Sequence, residues 1–399
     1  MHSLKFAPAI RSVVTAETFQ LDSVKAVHEL YQQFAGFDIG FILFFCSSAY
    51  PLTELEIELK QRFRHLNVMG CTTAGEIGHS GYNKNSISAI GFLRSDFSVA
   101  GMQIPLQNFS LESAQRSVAE LISRCKSQLK APIEEGTFVL TLIDGLTSQE
   151  ESVLLTLNTA LGRIPHFGGS AGDDERLAYT HVYSEGQFHE NSAIVIMVNT
   201  RCPFEVFTTH HIESLGSKLV VTQADSEHRR VYEFNSEPAA LVYAREIGLE
   251  VNELRPEIYA LNPLAVKVGN EFYVRSIQKV NRDLSLDFYC AVDNGIVVTA
   301  MKPGNVIENL NQKLTQVTEQ LGELQLIIGC DCFLRRKEVE VTHRQHAMQA
   351  LLQQFRVVGF NTYGEQLGGI HVNQTFTGVA MGFSATANPN HVVVKRKAS

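Results

Sequence analysis

The sequence predicts an α+β fold, a mixed α/β architecture of two modules with mixed and antiparallel sheets and flanking helices. Two observations carry that expectation. A strand, helix, Gly-rich loop, strand unit recurs along the chain, and between its later copies lies a run of alternating segments of the kind that form half-exposed antiparallel sheet. Size agrees: 399 residues, 44% of them hydrophobic, exceed the usual content of one core and suggest about two domains.

The first unit opens with "GFILFFCSS" (40–48), a buried-strand pattern. "PLTELEIELKQRF" (51–63) follows with apolar residues at helical spacing and Pro51 suited to an early helical position. The loop "GCTTAGE" runs from Gly70 to Glu76, and "SISAIGF" (86–92) closes the unit. The second, looser copy has "FVLTLIDG" (138–145) as strand, Thr147 and Glu150 offering a capping box for the next helix, "FGGSAGDD" (167–174) as loop, and "ENSAIVIMV" (190–198) as closing strand. In the third copy "LQLIIGCDCF" (324–333) is the strand, "HRQHAMQALLQQF" (343–355) the helix and "GFNTYGE" (359–365) the loop. Three copies at uneven spacing indicate internal duplication without a solenoid. Between copies two and three, "NEFYVRSIQKV", "SLDFYCAV" and "NGIVVTAM" read as strands, and Ile307, Leu310, Leu314, Val317 and Leu321 form the stripe of one packed helix or of a homodimer seam.

The loops concentrate hydroxyls and carboxylates among glycines, which admit a close approach of backbone or ligand. Gly70, Cys71, Thr72, Thr73, Gly75 and Glu76 in the first, Gly168, Gly169, Ser170, Gly172 and Asp173 in the second, and Gly359, Thr362, Gly364 and Glu365 in the third are the expected lining of a ligand pocket. For any one of them, a turn or cap role is an equal expectation. A net charge of −8 argues against nucleic acid as a partner. No signal-peptide pattern or long apolar run is read, so a cytoplasmic location is expected. Seven cysteines without CxxC spacing read as reduced thiols.

These stretches, with "EPAALVYAREIG" (237–248), "NPLAV" (262–266), "FYVRSI" (272–277) and "GIVVTAMKPGN" (295–305), resemble the FIST sensory proteins. The resemblance implies an N-type module over 36–215 and a C-type module over 216–385, with 1–35 and 386–399 as terminal extensions. It also implies a non-enzymatic, intracellular input module of bacterial signalling. The two-module form is similar to haem-binding nitric oxide sensors that regulate a partner histidine kinase in biofilm signalling, so haem b is the expected cofactor. A haem-free small metabolite such as an amino acid is the alternative ligand.

A gas-sensing haem needs one axial ligand, usually histidine, and an apolar pocket. His371, after the third loop, and the pair His210 and His211, where the second module begins, are the candidates. A capping or surface role is the plain alternative for each. Arg275 is a candidate partner for a ligand carboxylate. His343 with His346, and Cys330 with Cys332, are weaker metal signals. "RRKE" (335–338) and "KRK" (395–397) could contact haem propionates or a partner, but read more simply as solvated charge. Catalysis would fall to Cys71 or Ser170, although the chain lacks a GxSxG elbow, a P-loop and HExxH.

Overall fold

A computed structural model of the chain describes residues 11–384. The three units are real and longer than their sequence signatures. Each supplies four strands of one sheet and the two helices that cover its outer face.

Sheet I runs in the order Val13–Thr18, Ile87–Leu93, Ile39–Ser47, Asn67–Thr73, and is continued by the hairpin Val182–Ser184 and Gln187–His189. Sheet II runs Phe97–Pro105, Ser192–Thr200, Thr137–Ile143, His166–Ser170, and is continued by Glu365–Leu367 and Ile370–Val372. Sheet III runs Phe204–Thr209, Phe376–Gly382, Leu324–Cys332, Val357–Thr362, and is continued by Glu76–Gly78 and Gly81–Asn83. In all three the third and fourth strands are parallel and every other pairing is antiparallel.

The closing hairpin of each sheet comes from a different unit. The first unit's hairpin pairs with sheet III, the third's with sheet II and the second's with sheet I. The exchange is cyclic, and its register is matched: Glu76 faces Phe360, Glu365 faces Gly169, and Val182 faces Cys71. Residues on either side of position 215 therefore share sheets II and III.

The inner faces of the three sheets meet in one core. Phe41, Leu43 and Phe45 of sheet I, Phe138, Leu140 and Leu142 of sheet II, and Leu326, Ile328 and Phe360 of sheet III are all buried there. Phe45 and Phe360 stack with ring centroids 4.6 Å apart, an arrangement that adds about 1 kcal/mol to area burial. Helices Ser23–Phe34 and Leu52–Arg62 cover sheet I; Leu111–Lys126 and Glu150–Leu161 cover sheet II. Sheet III is covered by Val306–Leu321 and Gln345–Gln354. The helix 306–321 buries Val306, Leu310, Leu314 and Val317 against that sheet, so its stripe is used within the chain and offers no dimer seam.

Residues 212–303 are an insertion in the third unit. They form a separate antiparallel sheet with its own core, including Val221, Phe234, Tyr243, Leu286 and Val298. Its two ends are held together: Ile212 pairs with Pro303, and the Gly304 amide donates to the His211 carbonyl at 2.7 Å.

Two local expectations change. Thr147 and Glu150 do not form a capping box; the helix starts after Gln149 with no side-chain cap, because Glu150 is buried and turned to other partners. A helix, Phe333–Val341, follows the sheet III strand Leu324–Cys332 directly, over residues that read as strand end and charged surface.

The first glycine of each loop lies within a parallel strand, where a neighbouring backbone presses on it. A Cβ at Gly70, Gly168 or Gly359 would lie 2.2, 2.0 or 1.8 Å from the carbonyl oxygen of Phe44, Thr141 or Gly329. Only glycine permits that approach. Gly359→Ala is expected to cost about 3 kcal/mol or more of stability in denaturant unfolding, since the obstructing atom is backbone and cannot rotate away.

Candidate functional site

The hydroxyls and carboxylates of the three loops serve the hairpin exchange. Thr72 Oγ1 accepts from the His181 amide at 3.0 Å, fixing the incoming second hairpin on sheet I. Thr362 Oγ1 accepts from the amides of Gly364 and Ser170 at 2.8 and 3.1 Å, fixing the third hairpin on sheet II. Asp173 accepts from the amides of Leu177, Ala178 and Tyr179 and from the Tyr363 hydroxyl. Thr72, Thr73, Ser170, Thr362, Glu76 and Glu365 are all fully buried. The expected loop-lined pocket is thus filled by the protein's own groups, because each loop must satisfy a buried strand junction.

The repeated Asn and hydroxyl pattern has the same cause. Asn85, Asn191 and Gln374 adopt left-handed φ of 56°, 49° and 52°, a region in which asparagine is enriched. In the first and third copies the next residue then caps a buried acid. Ser86 donates from its amide and hydroxyl to Glu76 at 3.2 and 2.7 Å, and Thr73 donates to the same carboxylate at 2.6 Å. Thr375 does likewise for Glu365 at 3.0 and 2.9 Å. Burial pushes Glu76 up to about 7 against these donors and Arg336. Glu365 is pushed well above the carboxylate range by burial, again against its donors.

The charge run 335–338 is buried, contrary to its expected place on a solvated face: Arg335 is 0%, Arg336 5%, Lys337 7% and Glu338 2% exposed. Arg335 donates through Nε to Asp331 at 2.7 Å and through a terminal nitrogen to His211 Nδ1 at 2.8 Å. His211 Nε2 lies 2.6 Å from Glu338. An arginine can only donate, so His211 presents its lone pair at Nδ1 and its proton at Nε2. Arg336 fills the space above Gly75 and donates to the Asn83 carbonyl and Asn361 Oδ1, both at 2.9 Å. Lys337 pairs with Glu175. The run therefore clamps the first unit's hairpin to sheet III. "KRK" (395–397) lies outside the described residues.

His371 takes part in a second buried cluster. Its Nδ1 is 3.3 Å from Glu151 and 3.7 Å from Glu150. Arg229 of the inserted sheet bridges the same two carboxylates at 2.7 and 2.8 Å, and Ser170 donates to Glu150. Burial would raise Glu151, but His371 and Arg229 outweigh it and hold the carboxyl far below its usual range. This cluster joins the insertion to sheet II.

His210 alone of the three candidate histidines faces a cavity. A cleft of about 260 Å³ lies between the inserted strand Glu271–Arg275 and the exchanged hairpin 365–372. Phe272, Val274, Ile370 and Val372 form its apolar walls, with His210 and Glu271 among its polar groups. His210 Nδ1 is buried without a hydrogen-bond partner. Burial lowers this imidazole's pKa, Glu271 opposing and Arg335 assisting. Arg275 does not line the cleft; it donates to its own strand's Val274 carbonyl. The alternation in "NEFYVRSI" was the sequence signal for the cleft wall, and the hairpin residues gave none.

A haem does not fit these residues. His211 has both ring nitrogens engaged. His371 Nε2 abuts Gly364, where even a Cβ would lie 1.7 Å away. His210 has a free nitrogen, but 260 Å³ is below the roughly 300–1,000 Å³ that encloses a drug-sized ligand, and a porphyrin is larger than most of those. Among the described residues no cluster of His, Cys, Asp and Glu could hold a metal ion. His343 precedes the helix that carries His346, so the two do not share a helical face. Cys330 and Cys332 are buried, and burial keeps both thiols protonated. Cys71 is likewise a buried, protonated thiol, and Ser170 is fully buried against Glu150; neither is an accessible nucleophile.

The FIST N domain model matches residues 40–237 and the FIST C domain model matches residues 239–367. The chain belongs to the FIST family. FIST domains are sensory rather than catalytic. The FIST N match takes in most of sheets I and II, the strand Phe204–Thr209 of sheet III and the start of the insertion; the FIST C match covers most of the insertion and the sheet III strands Leu324–Cys332 and Val357–Thr362. A comparison with curated proteins gives no significant match. No helix among the described residues is long and apolar enough to cross a membrane.

Two outcomes follow for this FIST protein. Arg335→Met leaves Asp331 buried without its counter-charge, and is expected to cost about 3–5 kcal/mol in chemical denaturation, with part recovered by adding Asp331→Asn. Glu76 binds its proton more tightly in the folded chain than in the unfolded one, so stability falls as pH rises from 4.5 to about 7 and levels off beyond. The loss amounts to about 3 kcal/mol, and Glu76→Gln should flatten that slope in melts taken across this range.

Proposed function

We propose that this FIST protein is a sensory input protein that binds a small, haem-free molecule in the cleft beside His210 and passes the event to a signalling protein in trans. The observation that carries the reading is the placement of consecutive residues His210 and His211. The first faces the cleft, and the second is bonded into the Arg335 network that clamps hairpin to sheet. They sit where strand Phe204–Thr209 leaves sheet III and the insertion begins. A ligand that holds the insertion and the exchanged hairpin in one arrangement has different affinity for another arrangement, and that difference is what a sensor needs. The family resemblance supplies the partner class, a histidine kinase.

The test is a screen of small metabolites, and separately of haem, against the purified protein by thermal unfolding and absorption spectroscopy. A cleft ligand at about 100 times its Kd is expected to add roughly 2.7 kcal/mol of stability, and His210→Ala to reduce the shift. Stoichiometric haem binding, with a Soret band that moves on adding nitric oxide, would overturn the haem-free reading.

A further inference from the structure

The cleft's size, walls and charge restrict what it can take. An apolar cavity of about 150 Å³ holds benzene, so 260 Å³ accommodates one ring with a short tail. The walls supplied by Phe272, Val274, Ile370 and Val372 suit a hydrocarbon body. Glu271, exposed at the rim, is the one acidic side chain in the lining, and no lysine or arginine lines the cleft. Two cations close to the lining residues are otherwise engaged. Lys267, on the neighbouring strand, sits 5.7 Å from the centroid of the Phe272 ring, and Arg335 is paired with Asp331. A ligand carboxylate would leave water to face Glu271 with no cation in the wall, which is costly. His210 is a polar ring in the lining, and its Nδ1, shielded from solvent, has no partner in the protein.

We infer that the cleft selects a single-ring amine, a ligand with an apolar ring, a short tail and one nitrogen that donates hydrogen bonds. The ring lies against Phe272, Val274 and Val372. The nitrogen serves the polar groups His210 and Glu271. This assignment rests on the cleft being the sensory site, and it departs from the amino-acid alternative. A zwitterionic amino acid adds a carboxylate for which the cleft has no partner, and Arg275, the residue expected to receive it, lies outside the lining.

The experiment is calorimetric titration of the full chain at neutral pH with 2-phenylethylamine, 2-phenylethanol, phenylalanine and 3-phenylpropionate. The amine is expected to bind tightest and the acid about tenfold weaker, attraction to Glu271 being exchanged for repulsion of similar size. Glu271→Gln should bring the amine down to the level of the alcohol. Ile370→Trp, at an exposed position on the cleft wall, should abolish binding of every probe while leaving the thermal melt in place. If the acid or phenylalanine binds as tightly as the amine, or Glu271→Gln leaves the amine's advantage intact, the ligand class is wrong and the cleft stands. If no probe binds, or binding survives Ile370→Trp, the cleft is not the site, and both this assignment and the sensory reading of the cleft fall.

Discussion

The structure depends on the exchange of hairpins among its three units. Each unit builds a four-stranded sheet whose last strand, the second of a parallel pair, would otherwise leave a row of unpaired backbone groups at an edge. Each also ends that strand in a two-stranded hairpin, which is marginal by itself. Giving the hairpin to the next sheet resolves both problems, and doing so cyclically leaves none of the three parallel edges open. The loop chemistry follows from that junction. Glycine is required where backbone meets backbone, a hydroxyl where the turn must be closed, and a buried acid where the returning strand's amide needs an acceptor.

The same constraint explains where charge is buried. The exchanged hairpins are fastened to the receiving units by polar contacts near the starts of helices: Glu56 accepts from the Phe188 amide, Glu150 and Glu151 face His371, and Arg336 holds the Asn83 carbonyl. Charged groups held in such contacts add little net stability but are costly to strip of their partners where they are buried, so they resist slippage of a hairpin that is joined to its own unit only by a loop. In this protein two of the three fastenings also reach the inserted sheet or its root, through Arg229 in one case and His211 in the other. Motion of the insertion is thereby tied to the seams between units, and the cleft beside His210 opens on one of those seams.

Much of the architecture was legible in the sequence. The strand and helix patterns of "GFILFFCSS", "FVLTLIDG" and "LQLIIGCDCF" recur because each unit buries the same two faces of a sheet. The antiparallel insertion showed itself through alternation. What could not be read was which hairpin completes which sheet, since "EIGHSGYN" carries no mark of a partner some 280 residues away. The charge run "RRKE" misled for a related reason. Four adjacent charges are ordinarily solvated, and only the convergence of Asp331, His211, Glu175 and Asn361 from distant segments makes their burial affordable. His210 and His211 were singled out as a pair, but they lie in the two-residue link between strands 204–209 and 212–225, where one side chain lines the cleft and its neighbour enters the buried Arg335 network.

If the exchange is the organising constraint, no unit is self-sufficient. The most direct test is the folding of a fragment spanning residues 11–200, which holds all intrinsic strands of sheets I and II but lacks the hairpin 365–372 and the sheet that receives 76–83. The account predicts a chain without a cooperative unfolding transition and without native near-ultraviolet circular dichroism. A fragment that unfolds in one sharp transition from a native-like state would contradict it.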